Sequence, residues 1–272
     1  MPALKGLWKK IAAVLRPAPP AAPPVDPAQQ QAEKLIAEGM ELLEAGNSEE
    51  ALARFHQAVR AAPKCARAYY ARGLAYYTRG QYQWAIADLT TAIRLNPQMA
   101  EAYCTRGLAC TAKGDYDWAI ADFNEALRLN PNLAEAYNGR GVAYFGKKLY
   151  DPAIADFTVA IQLNPNDANA YFNRGFAYAL KEDFHNALAD YTRALELDPR
   201  HYRAYNNRGT IYQAFRQLDK ALADFDQAIR LKPDLADAYN NRALVYQMLG
   251  EEEKARADFE MAYKLGFRRE TG

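Results

Sequence analysis

Three cysteines, three histidines and the lack of any long apolar run remove several function classes before any motif is considered. Cys65, Cys104 and Cys110 have neither metal-knuckle nor redox spacing. They read as small, half-buried residues of a reducing compartment, the cytoplasm. His56, His185 and His201 are scattered along the chain. No Ser/His/Asp or Cys/His grouping, metal-spaced cluster or phosphate-cradling glycine loop accompanies them. The chain is therefore expected to be non-catalytic, without cofactor or metal. A bilayer span needs about 20 apolar residues. The uninterrupted apolar run near the N-terminus, Ile11 to Leu15, is too short for that or for a secretory core. Charge of one sign is missing too: 34 basic against 33 acidic side chains leave a formal +1. Nucleic-acid binding rests on neutralising phosphates, so nucleic acid is not an expected partner.

What the chain does have is a clock. Pro63, Pro97, Pro131, Pro165, Pro199 and Pro233 stand 34 residues apart (97 − 63 = 34). Tyr69, Tyr103, Tyr137, Tyr171, Tyr205 and Tyr239 keep the same step. So do Gly39, Gly73, Gly107, Gly141, Gly175 and Gly209, with Ala243 in the last place. A fixed period of this size marks a stacked repeat architecture, which grows by layers around no single large core.

Each period divides into two helices. Tyr69, Arg72, Gly73 and Tyr76 lie at i, i+3, i+4 and i+7, one face of a first helix closed by Gly80. A second helix starts near Gln81 or Tyr82 and turns Ala85, Ile86, Leu89, Ala92 and Ile93 inward. Asn96 suits its C-terminal cap, and Pro97 forbids continuation. Asp115 is a natural N-cap for the next copy. Gly73, Ala85 and Ala92 let the two helices approach, and Tyr69, Tyr76 and Leu89 fill the remaining space. Arg72, Arg106, Arg140, Arg174, Arg208 and Arg242 are matched by Asp88, Asp122, Asp156, Asp190, Asp224 and Asp258. In the first copy the signs reverse, Glu38 with Arg54. Pairing inside each hairpin is expected, since pairing across copies would set Arg54 against Arg72. The alternative is a set of solvated charges worth little.

This pattern strongly resembles the tetratricopeptide repeat family, through the aromatic–Gly–Tyr spacing of the first helix and the Ala–Phe–Ala–Pro spacing of the second. The resemblance implies an all-α, right-handed superhelical solenoid of seven helix-turn-helix repeats, at 32–65, 66–99, 100–133, 134–167, 168–201, 202–235 and 236–269, with 270–272 as a tail. The ends depart from the pattern. Leu35 and Leu42 replace the first tyrosines, and Ala243 and Phe267 replace the last glycine and proline. Arg256 stands where other copies carry Leu or Ile, as suits a terminal unit with a polar outer face. The last repeat must cap itself or be covered by a partner.

In the family, the side of the first helices opposite the tyrosine face lines a concave groove. Here that side offers Tyr70, Leu74, Tyr77, Leu108, Val142, Phe145, Phe172 and Phe176 early, and Asn206, Asn207, Gln213, Asn240, Asn241 and Gln247 late. Asn173 leads into the second group, and Asn138 shares the column of Asn206 and Asn240. An Asn amide donates and accepts together, which suits the backbone of an extended peptide. Asn173, Asn207 and Asn241 fall in one column of consecutive repeats, like the asparagine ladder of some superhelical members, or else are tolerated surface filler. Chaperone-binding members use a carboxylate clamp of lysines and asparagines. The matching column here is Tyr70, Cys104, Asn138, Phe172, Asn206 and Asn240, and its lack of lysine argues against a chaperone C-terminus. The implied function is an interaction scaffold that binds an extended peptide or a partner helix.

Residues 1–16 form a separate unit. Leu4, Leu7, Trp8, Ile11 and Leu15 recur at helical spacing among Lys5, Lys9, Lys10 and Arg16. A basic amphipathic helix of this kind suits an anionic membrane surface, which makes membrane-surface tethering the alternative function. It also suits docking on a protein, or remains a weakly helical tail. Residues 17–31 follow as a Pro/Ala-rich linker that favours extended polyproline II.

Overall fold

The computed structural model describes residues 26–268. Among them are fourteen α-helices and no strand. The membrane-contact residues Leu4, Lys5, Leu7, Trp8, Lys9, Lys10, Ile11 and Leu15 lie outside the described residues, as does most of the linker. The helices pair as hairpins: α1 (Pro27–Glu44) with α2 (Ser48–Ala61), α3 (Ala66–Thr78) with α4 (Tyr82–Leu95), α5 (Ala100–Lys113) with α6 (Tyr116–Leu129), and α7 (Ala134–Gly146) with α8 (Tyr150–Leu163). Then come α9 (Ala168–Leu180) with α10 (Phe184–Leu197), α11 (Tyr202–Ala214) with α12 (Leu218–Leu231), and α13 (Ala236–Leu249) with α14 (Glu252–Lys264). No helix among them is long and apolar enough to cross a membrane.

Local chemistry sets the boundaries, with three departures from expectation. Helix α1 begins at Pro27, inside the stretch read as linker. The Asp26 carboxylate accepts from the Ala28 N–H, and a proline at the first helical position loses no intrahelical bond. Asp115 stands at the N-cap of α6 without capping it; its carboxylate accepts from Lys113 Nζ at 3.0 Å instead. The turn after the first helix needs a left-handed residue, which is Gly46, Gly80, Gly114 and Gly250 in four hairpins. The other three place Lys148, Glu182 and Arg216 there, at φ 61°, 60° and 58°. Each costs on the order of 1 kcal/mol relative to glycine. As expected, Asn96 ends α4 in an extended conformation, φ −138° and ψ 91°, with Pro97 next.

Inside each hairpin a large second-helix side chain fills the space opposite the first-helix glycine. Phe55, Leu89, Phe123, Phe157, Tyr191 and Phe225 are all but fully buried, as are the flanking alanines. The close approach is real: a Cβ on Gly141 would sit 2.6 Å from the Phe157 ring. In the last hairpin, where Ala243 replaces the glycine, Phe259 is only half-buried.

The arginines do more than the sequence suggested. Arg140 Nε and Nη2 donate to Asp156 Oδ2 and Oδ1, both at 2.7 Å, within one hairpin. The same two-pronged bond joins Arg72 to Asp88, Arg106 to Asp122, Arg174 to Asp190, Arg208 to Asp224 and Arg242 to Asp258. The third nitrogen reaches back one hairpin, to His56, Thr90, Asn124, Thr158, Thr192 or Asp226. Each of those six residues can accept a hydrogen bond. Each guanidinium also lies over the tyrosine three residues earlier, 5.5–5.7 Å from the ring centre. One side chain thus closes its own hairpin and fastens it to the previous one. In the first hairpin the reversed pair, Arg54 with Glu38, is 3.4 Å apart and more exposed.

First helices of neighbouring hairpins touch, α1 with α3, α3 with α5, α5 with α7, α7 with α9 and α11 with α13. No comparable pairing joins successive second helices. Layers closer on one side than on the other stack into a curve, with the first helices on its inner side.

Candidate functional site: the inner face of the first helices

The inner face has two halves. In the first, Tyr70, Leu74, Tyr77, Leu108, Val142, Phe145 and Phe172 are half-buried and Phe176 is exposed. Phe145 and Phe176 stack at 5.1 Å between ring centres, and Phe172 adjoins Phe176 at 6.2 Å. Three phenylalanines of α7 and α9 therefore form one continuous aromatic surface. Tyr77 packs on Tyr82 at 5.9 Å. Burial raises the Tyr70 and Tyr77 hydroxyls above their ordinary values. Among the causes that follow burial, the field of Glu135 acts on both hydroxyls. Glu101 also acts on Tyr70. Glu135 is open to water by area, yet it sits crowded by protein, and that crowding, with Asp167 second, raises its carboxyl. Cys104, on the same face, is buried and its thiol is pushed far up, so it is inert. Cys110 is pushed up to about 11 by burial.

The second half carries the amides, and they are partly spent on each other. Asn173 Nδ2 donates to Asn138 Oδ1 at 3.2 Å, and Asn241 Nδ2 donates to Asn206 Oδ1 at 3.2 Å. Both bonds run from one first helix to the preceding one, 35 residues back. Asn207 would meet Phe172 at that position and turns instead to Asn206, at 3.4 Å. The Tyr191 hydroxyl lies beside Asn207, fully buried and without a partner of good geometry. Asn173 keeps one N–H and its carbonyl capacity, whereas Asn241 Nδ2 also donates to Thr210 Oγ1 at 3.5 Å and keeps its carbonyl. Gln213 is half-buried and Gln247 exposed. Asn240, by contrast, is buried. With Gln247 it lines a cleft of about 560 Å³ at the end of the array, walled by Phe259, Ala262, Tyr263, Phe267 and Arg268.

Of the residues chosen from the sequence, the structure brings Phe145, Phe172 and Phe176 together in one group and Asn138 with Asn173, and Asn206 with Asn207 and Asn241, in others, while Asn240 is buried. Glu101 and Glu135 were missed, because acidic residues in a first turn read as ordinary helix-start chemistry. Trp84 and Trp118 were missed as well. They stand 34 residues apart on second helices, 65% and 75% exposed. Among the described residues, no group of three His, Cys, Asp or Glu side chains can hold a metal.

His201 links the halves. Its ring lies 4.5 Å from that of Phe172, and its Nδ1 accepts from the Ala204 N–H at 3.2 Å, capping α11. Burial lowers its pKa below the ordinary 6.5, while Asp198 and Arg203 act in opposite directions. The folded chain therefore binds fewer protons than the unfolded chain just below that value. The cap's contribution is complete above about pH 6.5 and is lost as pH falls through the lowered value. Thermal melting should show a midpoint that drops between about pH 7.5 and 5.5, and His201→Asn, which keeps a capping acceptor, should flatten that drop.

Family models for the tetratricopeptide repeat match residues 36–100, 107–148, 134–167, 168–201, 190–223, 217–250 and 236–265. The chain belongs to the tetratricopeptide repeat family. No curated protein sequence matches it. Among solved structures, YrrB, "a TPR protein with an unusual peptide-binding site", is 26% identical with a TM-score of 0.55, over 65% of this chain and 92% of its own. MamA is 28% identical with a TM-score of 0.54, over 58% of this chain and 93% of its own. A tetratricopeptide repeat protein from Parabacteroides merdae, 22% identical with a TM-score of 0.65, covers 89% of this chain and 95% of its own; that likeness speaks for the fold alone.

Proposed function

We propose that this tetratricopeptide repeat array is a non-catalytic scaffold whose inner face grips an extended peptide or a partner helix. Proteins of the family generally mediate protein–protein interactions, and YrrB is a TPR protein with an unusual peptide-binding site. The observation that carries the reading is the change of lining along one face, from stacked phenylalanines to paired asparagines. Layers of helices about 8–10 Å apart match about three residues of extended chain. An amide in each layer then meets a backbone group at each third residue, and the phenylalanines supply pockets for apolar side chains.

The test is crosslinking capture from the native cell. Asn173→Ala, Asn207→Ala and Asn241→Ala combined should lower partner recovery at least about tenfold, from three lost hydrogen bonds. Unchanged recovery, with the melting curve intact, defeats the ladder.

A further inference from the structure

The aromatic half of the trough carries negative charge that nothing in the described chain neutralises. Glu101 and Glu135 lie in the first turns of α5 and α7. Neither carboxylate forms an ion pair or hydrogen bond among the described residues, and neither has a further partner. Glu135 shares α7 with Phe145, which stacks on the exposed Phe176 of α9, and its field reaches the Tyr70 and Tyr77 hydroxyls, as that of Glu101 reaches Tyr70. An apolar surface edged with unpaired carboxylates fits an amphipathic segment with cationic side chains. One such segment belongs to this chain: residues 1–16, with Leu4, Leu7, Trp8, Ile11 and Leu15 among Lys5, Lys9, Lys10 and Arg16.

Position allows the contact. The described chain starts at Asp26, where α1 begins. The hairpins keep all first helices parallel, so α1 starts at the same rim of the trough as the first turns of α5 and α7. At about 10 Å per layer, α7 lies about 30 Å from α1. Residues 17–25 include five prolines. A chain of that composition extends about 3.1 Å per residue, hence about 28 Å for nine residues. The leading segment can reach α5 and α7 without rearrangement of the array.

We propose that residues 1–16 dock in cis on the aromatic half of the trough, with Lys5, Lys9 and Lys10 against Glu101 and Glu135 and with Trp8 against the Phe145–Phe176 surface. The inference rests on the inner face being a binding surface. An incoming ligand then meets an occupied aromatic half and a free amide half, and its affinity is lowered by the fraction of chains in the docked state.

The test uses the full chain with p-benzoylphenylalanine in place of Trp8, irradiated and mapped by mass spectrometry. The expected product is monomer-sized, formed in the same yield on dilution, with adducts on α3, α5, α7 or α9, at Tyr77, Phe145 or Phe176. Lys5→Glu, Lys9→Glu and Lys10→Glu together should cut the yield at least about fivefold, and adding Glu101→Lys with Glu135→Lys should restore it. Adducts on the second helices, near Trp84 or Trp118, overturn the proposal. So does a dimer-sized product, which assigns the segment to a second copy. So do adducts to lipid in place of protein when vesicles of phosphatidylserine and phosphatidylcholine are added. The readout is independent of the capture experiment: loss of the position-8 adducts with partner recovery still dependent on the asparagines removes this inference alone.

Discussion

Arg140→Ala is expected to destabilise the array by about 3 kcal/mol, more than removal of any exposed charge, because it strands a carboxylate. Asp156 keeps 9% of its side-chain surface and Arg140 keeps 19%. Both Asp156 oxygens are held by the guanidinium, at 2.7 Å each. An exposed ion pair contributes at most about 1 kcal/mol, but breaking a buried one leaves the surviving charge desolvated. Asp156→Ala should cost less, since Arg140 still reaches Asn124 Oδ1 and lies over Tyr137. The double variant should be less destabilised than the sum of the two, with a coupling of about 2 kcal/mol. Chemical denaturation of the four proteins measures this, and additive single effects contradict a buried pair.

Phe157→Ala should cost about 3–5 kcal/mol, the range for removing a buried ring without collapse of the site. The ring is 1% exposed and fills the space opposite Gly141. Its place in the middle of the array adds a second effect. Stability in a stacked array is a sum of layers and their interfaces, so a weak central layer separates two still-folded ends. Urea melts followed by circular dichroism should change from one transition to two. Phe55→Ala, in the first hairpin, should instead fray one end and leave the main transition in place. One unaltered transition in Phe157→Ala would show that the layers are not independent units.

Much of this architecture is written in the sequence, because a 34-residue step repeats every packing decision and each copy checks the others. The glycine column and the buried alanines follow from helix spacing, the Arg–Asp pairs from the matched columns and the reversed signs at Glu38 and Arg54, and the structure contains each of them. What was not legible depends on how neighbouring copies meet. Asn173 and Asn241 each donate to the preceding first helix, at Asn138 and Asn206. Half-buried amides satisfy one another where they can, and a pattern within one copy does not show which groups of the next copy lie in reach. The back-reaching arginine nitrogen escaped for the same reason: its acceptors, His56, Thr90, Asn124, Thr158, Thr192 and Asp226, differ in type and share only the ability to accept. Lys148, Glu182 and Arg216 carry no signal of a left-handed turn until the glycines of the other copies are aligned with them.

The most direct measurement on the trough is the position of the crosslinks in the captured complex. Partner adducts should map to the inner side of the first helices, at Phe145, Phe172, Phe176, Asn207 and Asn241, and be absent from α4, α6, α8, α10 and α12. Adducts concentrated on those second helices, around Trp84 and Trp118, would mean that the array presents its outer side to its partner and that the inner face is only structural.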